Sequence, residues 1–150
     1  MRRMVGGLRH LEVVVAVIIW GDRVLCLQRG DSHLPYAAFK FEFPGGKVEP
    51  GESRTGALSR ELEEELGLVV SFSDSDFFMS VDHVYPDFSV SVHAFLCYLV
   101  DPVLDFRVHV SYRWVLFSEL GGLDWVMADR SLVDALIELG WKRMGGLVGS

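Results

Sequence analysis

The sequence predicts an α+β fold in which a mixed β-sheet lies between helices. Three observations support this prediction: β-branched runs separated by turn residues, one long helical pattern in mid-chain, and an amphipathic pattern near the end. The chain has 150 residues, of which 50% are hydrophobic and 23% are charged. That is the size and apolar content of one domain, so we expect residues 1–150 to form a single unit and exclude disordered and fibrous classes.

The strands are predicted from β-branched and aromatic runs that end at Gly, Asp or Pro. Residues 1–10 carry arginines and glycines without periodicity and are predicted to be a loose leader. Residues 31–38 are polar and are predicted to be a loop. The predicted strands, in chain order, are 12–20, 23–28, 40–43, 69–72, 77–83, 89–100 and 112–117.

Two segments have the periodicity of helices. Residues 53–66 are predicted to form the first helix, which ends at Gly67, a residue type typical of a helix C-cap. A second amphipathic helix is predicted over residues 129–141. The glycine-containing residues 143–150 are predicted to be a flexible tail.

Composition also limits the partners. Fourteen Lys and Arg against 21 Asp and Glu give a net charge of −7, which argues against binding to the backbone of a nucleic acid polymer. The apolar run 13–20 is too short to span a membrane, so no membrane partner is expected. Cys26 and Cys97 stand in apolar, strand-like surroundings and are interpreted as buried thiols of a cytoplasmic protein, with a disulfide as the alternative.

The first predicted helix concentrates acidic side chains on one face. At about 100° per residue, Glu61, Glu64 and Glu65 share one arc, whereas Glu63 points to water. The adjoining stripe of Leu58, Leu62 and Leu66 is expected to pack on the sheet. Like charges at these spacings weaken a helix, which favours a cation among them, and hard carboxylate oxygens suit Mg²⁺ or Mn²⁺. A solvated acidic face is the alternative.

The spacing Gly46-x5-Glu52-x7-Arg60-Glu61-Leu62-x-Glu64-Glu65-x-Gly67-Leu68 is similar to the complete motif of the Nudix family. The preceding segment Phe41-Glu42-Phe43-Pro44-Gly45-Gly46-Lys47 resembles the strand that enters this motif in MutT-type nucleoside triphosphate pyrophosphohydrolases. Tyr85-Pro86-Asp87 and Ala128-Asp129 resemble, less specifically, segments that hold the base in that subfamily.

This resemblance implies an α/β/α sandwich and the Mg²⁺-dependent hydrolysis of a small nucleotide, with Mn²⁺ as a substitute. It implies that Glu61, Glu64, Glu65 and the carbonyl of Gly45 bind the metal, and that Glu61 orients or deprotonates the attacking water. Glu52 and Arg60 are implied to hold the loop against the helix through an ion pair. The expected products are a nucleoside monophosphate and pyrophosphate, from triphosphates such as 8-oxo-dGTP or from CTP and dCTP.

Four residues are candidates for substrate binding, each with an alternative. Arg29 is placed to reach a phosphate or the base, or is a surface residue at a strand end. Tyr85 is expected to stack on a base or to pack on its own turn. Asp129 is expected to accept hydrogen bonds from a base, to cap the last helix, or both. Lys47 is expected to offset phosphate charge or to face solvent.

The sequence departs from the MutT-type pattern in the loop before the last strand. Val108 stands where many relatives have a glutamate, so an additional metal ligand from this loop is in doubt and the adjacent His109 is a weak substitute. Two other functions stay open: hydrolysis of ADP-ribose or another nucleoside diphosphate derivative, and nucleotide sensing without catalysis. The chain is expected to be a monomer or a homodimer.

Overall fold

The computed structural model describes residues 3–5, 7–32, 34 and 36–147, and these residues form eight strands and two α-helices. The strands are β1 (Arg3–Val5), β2 (Leu8–Trp20), β3 (Arg23–Gln28), β4 (Phe41–Glu42), β5 (Gly45–Lys47), β6 (Phe77–Val84), β7 (Phe88–Tyr98) and β8 (Ser111–Leu116). The helices are α1 (Arg54–Leu66) and α2 (Arg130–Leu147).

Strand β2 is the centre of the sheet. It pairs in parallel with β7 from Arg9 to Ile19, and antiparallel with β1, β3 and β5. Strand β3 carries β4 and β8, and β6 pairs with β7, all antiparallel. The sheet is therefore mixed, which confirms the predicted fold class.

Each face of the sheet is covered by one α-helix. Successive side chains of a strand point to opposite faces. On one face, Val14, Ala16 and Ile18 of β2 pack in one cluster with the leucine stripe of α1. On the other face, Val15, Val17 and Ile19 share a cluster with Trp125 and, from α2, Leu132 and Leu136. The layers are helix, sheet and helix, as the resemblance implied.

The predictions of a loose leader and a flexible tail were wrong for residues 3–5, 8–10 and 143–147. Residues Arg3–Val5 form β1 and pair with residues 8–10 of β2 across a turn in which Gly7 has a φ of 81°. Leu8–His10 are part of the central strand, and the His10 side chain is buried. At the other end α2 continues to Leu147, and Arg143 donates to the carbonyl of Gly21 at 3.1 Å. Residues 1, 2, 6 and 148–150 of the predicted leader and tail lie outside the described residues.

The strand predicted over residues 69–72 is also wrong, because this segment has no regular structure. Its alternation is real: Val70 and Phe72 pack on the core, while Val69 is 82% exposed. An alternating pattern reports burial on one side, but a strand also needs a hydrogen-bonding neighbour. The predicted loop 31–38 contains residues 33 and 35, which lie outside the described residues.

Cys26 in β3 and Cys97 in β7 are both buried free thiols, as predicted, and do not form the alternative disulfide. Burial raises the pKa of the Cys26 thiol to about 12. In the part of the chain that the structure describes, no helix has the length and hydropathy needed to cross a membrane.

We expect Leu62→Ala to lower the free energy of unfolding by about 2–5 kcal/mol, because it empties a fully buried position between α1 and the sheet. Urea denaturation of the purified variant measures this loss. The neighbouring Glu63→Ala is the control, since Glu63 is exposed and its loss should change stability by less than about 0.5 kcal/mol. Equal effects of the two variants would contradict the predicted orientation of the helix.

Candidate active site

Helix α1 presents its carboxylates to the end of β5. The helix begins after Ser53, whose Oγ accepts from the backbone N–H of Gly56 at 3.0 Å, and ends at Gly67, which has a φ of 61°. Between these caps the leucine stripe is buried, Glu63 is exposed, and Glu65 is only 7% exposed. The predicted face of the helix is therefore the one observed.

The two glycines of β5 allow the carboxylates to approach the backbone. A Cβ added at Gly46 would lie 2.4 Å from the carboxyl carbon of Glu61, and one added at Gly45 would lie 2.0 Å from the carbonyl oxygen of Val14. The backbone N–H of Gly45 donates to Oε1 of Glu65 at 3.2 Å. Glycine is therefore required at both positions. At Gly46 a side chain would occupy the space that the carboxyl group of Glu61 fills.

Burial and mutual repulsion act on the carboxylates of this cluster. Burial raises the pKa of Glu65 to about 8, and the charge of Glu42 adds to the increase. Burial also raises the pKa of Glu61, against the opposing effect of Arg60. Arg60 Nη1 lies 3.0 Å from Glu61 and 3.4 Å from Glu64 and compensates part of the charge.

The donor set fits a hard divalent cation. A nearby cation stabilises the charged form of a buried carboxylate whose pKa is raised. The absence of a side chain at Gly46 leaves room for one such carboxylate, that of Glu61. Glu64 is at the rim, with a side chain 59% exposed. Among the described residues, no three Asp, Glu, His or Cys side chains already converge at ligand distances, and Glu61 and Glu64 both contact Arg60.

The predicted pair of Glu52 and Arg60 forms. Arg60 donates to both carboxylate oxygens of Glu52 at 2.8 Å, and its Nη2 also donates to the carbonyl of Lys47 at 3.1 Å. This hydrogen bonding lowers the pKa of Glu52 to about 2, with help from the backbone N–H of Glu49. The loop from Lys47 to Glu52 is thereby fixed to the helix.

A cavity of about 390 Å³ lies beside this cluster. All four predicted substrate-binding residues, Arg29, Lys47, Tyr85 and Asp129, line it. A second cavity of about 330 Å³ is lined by three of the four glutamates of α1, Glu61, Glu64 and Glu65, and by His109. The two cavities share Arg29, Glu42 and Gly45, so they are adjacent parts of one site.

Asp129 immediately precedes α2 and is 4% exposed. Its Oδ2 accepts from the backbone N–H of Phe43 at 3.3 Å, so it joins the helix start to the segment that enters the motif. Burial raises the pKa of Asp129 to about 8, and the charge of Glu42 contributes. A neutral carboxyl can both donate and accept hydrogen bonds.

Tyr85 packs on its own turn, which was the alternative prediction for this residue. Its ring stacks on Phe88 of its own turn at 4.9 Å and on Tyr36 at 4.8 Å, and its hydroxyl accepts from the backbone N–H of Ala128 at 3.0 Å. Only 8% of the residue is exposed, yet it lines the larger cavity. Tyr36, which donates from its hydroxyl to Asp87, extends this aromatic wall.

Arg29 follows the end of β3 and donates from Nη1 to Glu42 at 3.0 Å. Lys47 is exposed at the mouth of the larger cavity. The sequence did not indicate that Glu42 and Tyr36 line the walls of the site. His109, predicted to be a weak substitute ligand, has a side chain that is 5% exposed and lies 2.8 Å from Glu42. The available signal for Glu42 was its place in the segment 41–47, which enters the motif.

Two other buried histidines belong to a separate network. His10 and His93 both contact the carboxylate of Glu12, at 2.7 and 3.0 Å, and their other ring nitrogens contact Ser89 and Ser80. Neither histidine lines the two cavities. They are hydrogen-bonded residues within the sheet, and no role was predicted for them.

The layered fold and the motif on α1 define the class of protein. The NUDIX domain model matches residues 10–136, and the chain belongs to the Nudix family of hydrolases. A Mycobacterium tuberculosis protein provisionally named 8-oxo-dGTP diphosphatase 2 is 38% identical over 122 residues, which cover 81% of this chain and 84% of that protein.

Two further comparisons, one of sequence and one of structure, place the chain among the MutT-like members of the family. The Escherichia coli CTP pyrophosphohydrolase is 46% identical over 61 residues, which cover 41% of this chain and 44% of that protein. The crystal structure of a MutT protein from Methanosarcina mazei superimposes with a TM-score of 0.75 at 25% identity, covering 86% of this chain and 94% of that one. Nudix hydrolases generally need a divalent metal ion.

Asp129 gives stability a pH dependence. Because the folded state keeps this carboxyl protonated up to about pH 8 and the unfolded chain releases the proton near pH 4, folding is favoured at low pH. The free energy of unfolding of the wild type should fall relative to Asp129→Asn between pH 5 and 8, by up to about 1.4 kcal/mol per pH unit. Urea denaturation at several pH values tests this, and parallel curves for the two proteins would contradict it.

Proposed function

We propose that this protein hydrolyses nucleoside triphosphates to a nucleoside monophosphate and pyrophosphate with Mg²⁺, and that 8-oxo-dGTP is the first substrate to test. The single observation that supports this most is that the four candidate nucleotide-binding residues line one cavity, which adjoins the glutamates of α1. The name of the Mycobacterium tuberculosis relative supports the oxidised purine. The name of the Escherichia coli relative supports CTP as the second candidate.

In this proposal Glu61, Glu64, Glu65 and the carbonyl of Gly45 hold the metal. A bound divalent cation supplies charge for the phosphates and lowers the pKa of a water molecule, which gives a nucleophile near neutral pH. Glu61 orients the attacking water and takes its proton. Glu52 and Arg60 act by positioning, since their ion pair fixes the loop on which Lys47 lies.

The triphosphate extends from the larger cavity to the glutamates. In this proposal Arg29 and Lys47 bind the phosphate oxygens, and Tyr85 with Tyr36 provides the aromatic wall for the base; both pairs line the larger cavity. Asp129 hydrogen bonds to the edge of the base. Water attacks the β-phosphorus, the bond from this phosphorus to the oxygen it shares with the α-phosphorus breaks, and the monophosphate leaves with that oxygen.

The proposal includes a cytoplasmic location, supported by the free thiols of Cys26 and Cys97. It also includes a monomer or a homodimer, because every residue assigned to the site comes from one chain. If the protein is a homodimer, we expect the second copy to leave both cavities open.

The direct test is an assay of purified protein with Mg²⁺ in water enriched in ¹⁸O. The panel contains the eight common nucleoside triphosphates, 8-oxo-dGTP, 5-methyl-dCTP and ADP-ribose. We expect pyrophosphate and a monophosphate from the preferred triphosphate, with ¹⁸O in the pyrophosphate. Activity only on ADP-ribose would replace the substrate assignment, and ¹⁸O in the monophosphate would exclude attack at the β-phosphorus.

Glu61→Gln should lower kcat by about 10²–10⁴-fold, because it removes the group that takes the proton from water while keeping its volume. Glu63→Gln, on the exposed face of the same helix, is the matched control and should keep wild-type kcat. Thermal unfolding of both variants separates catalysis from folding. A Glu61→Gln protein that keeps full activity would remove Glu61 from the proposed mechanism.

Tyr85→Ala should raise KM and weaken the preference among bases, whereas Tyr85→Phe should keep both. Tyr85→Phe keeps the stacked ring but removes the acceptor for the N–H of Ala128, so it should lower the free energy of unfolding by about 1 kcal/mol. Steady-state kinetics on two triphosphates and urea denaturation measure these effects. An unchanged substrate profile in Tyr85→Ala would exclude base stacking by Tyr85.

A further inference from the structure

His109 is buried beside the glutamates of α1, although it comes from the loop that precedes β8. The backbone on either side of it is fixed: Arg107 N–H donates to the carbonyl of Glu65 at 3.0 Å, and Val110 N–H donates to the carbonyl of Gln28 at 3.1 Å. Its side chain is 5% exposed and lines the cavity that contains Glu61 and Glu65. The imidazole is therefore held in place at the proposed metal site.

The two ring nitrogens of His109 have different surroundings. Nε2 lies 2.8 Å from Oε2 of Glu42, and because a carboxylate oxygen only accepts, this nitrogen carries the hydrogen. In the neutral ring the other nitrogen, Nδ1, then has a free lone pair. Nδ1 lies 3.6 Å from Oε2 of Glu65, which is too long for a hydrogen bond.

This separation is close to that of two ligands of one cation. Donor atoms about 2.1 Å from a metal, on adjacent positions of its coordination sphere, lie about 3 Å apart. Nδ1 and the Glu65 oxygen therefore face each other across a gap that a cation would bridge after a small closure. The contact of the other ring nitrogen, Nε2, with Glu42 also fits a metal ligand. Metal-binding histidines usually donate the N–H of their second ring nitrogen to a carboxylate.

The carboxylate that holds the ring is itself fixed. Glu42 Oε1 accepts from Arg29 Nη1 at 3.0 Å, so Arg29, Glu42 and His109 form one continuous series of contacts. This series leads from the wall of the larger cavity to the glutamates. The orientation of the imidazole is thus set before any metal binds.

We propose that His109 is a ligand of the metal through Nδ1, with Glu42 orienting the ring, and that this nitrogen shifts metal preference from Mg²⁺ towards Mn²⁺. The inference rests on the metal site of the proposed function. Imidazole nitrogen is a softer ligand than carboxylate oxygen, and it suits transition metals better than Mg²⁺.

The test is Mn²⁺ binding without nucleotide, followed by electron paramagnetic resonance (EPR). A pulsed experiment on the Mn²⁺-loaded protein should detect coupling to an imidazole ¹⁴N in the wild type and none in His109→Gln. Titration should show about tenfold weaker Mn²⁺ binding in His109→Gln, with a smaller change for Mg²⁺ measured by competition. ¹⁴N coupling that persists in His109→Gln would overturn the proposal.

Two further variants test the two parts of the proposal separately: the orientation of the ring through Nε2, and the effect of a nitrogen ligand on metal preference. Glu42→Gln should keep the ¹⁴N coupling and weaken Mn²⁺ binding about tenfold, because the ring is less well oriented. Loss of the coupling in Glu42→Gln while His109→Gln retains it would contradict the assignment. His109→Glu should restore an all-oxygen site and with it the preference for Mg²⁺.

Glu65→Gln distinguishes failure of this inference from failure of the proposed function. If Glu65→Gln does not weaken Mn²⁺ binding, the metal site on α1 is wrong and both proposals fail. If Glu65→Gln weakens binding but His109→Gln changes neither the affinity nor the coupling, only the role of His109 is wrong. Thermal unfolding without metal checks that each variant is folded.

Discussion

The arrangement of the site depends on the guanidinium group of Arg60. It binds Glu52 through two hydrogen bonds and the carbonyl of Lys47 through a third, and so joins the loop after β5 to α1. Its Nη1 also faces the partly buried Glu61 and the exposed Glu64, where it offsets the repulsion between the two carboxylates. One side chain therefore fixes the loop and stabilises the acidic cluster, and a metal would compete with it for the same oxygens.

The short segment from Phe41 to Gly45 connects the two cavities. Glu42 contacts Arg29 on one side and His109 on the other, while the N–H of Phe43 reaches Asp129 and that of Gly45 reaches Glu65. Alternate residues of an extended chain point in opposite directions, so a few residues can supply walls to both cavities. A change at Glu42 should consequently affect nucleotide binding and the acidic cluster together.

The sequence predicted the local features of the site better than the contacts between distant segments. The bounds and the buried face of α1 follow from Ser53, Gly67 and the leucine spacing, because a helix is built from near neighbours. The contact of His109 with Glu42 joins residues 67 positions apart and depends on the pairing of β3 with both β4 and β8. No periodicity in either segment encodes that pairing. Strand β1 was missed for a different reason: its partners in β2 are near neighbours in the chain, but residues 1–10 lack periodicity.

The parallel pairing of β2 with β7 has a consequence for how this chain folds. Partners such as His10 and Ser89 are 79 residues apart, and closing so large a loop costs conformational entropy before any contact repays it. During synthesis the apolar β2 leaves the ribosome long before β7, and until then its β7-facing edge and both apolar faces are incompletely covered. The central strand is thus exposed to aggregation in the nascent chain, although its core residues are buried in the folded protein.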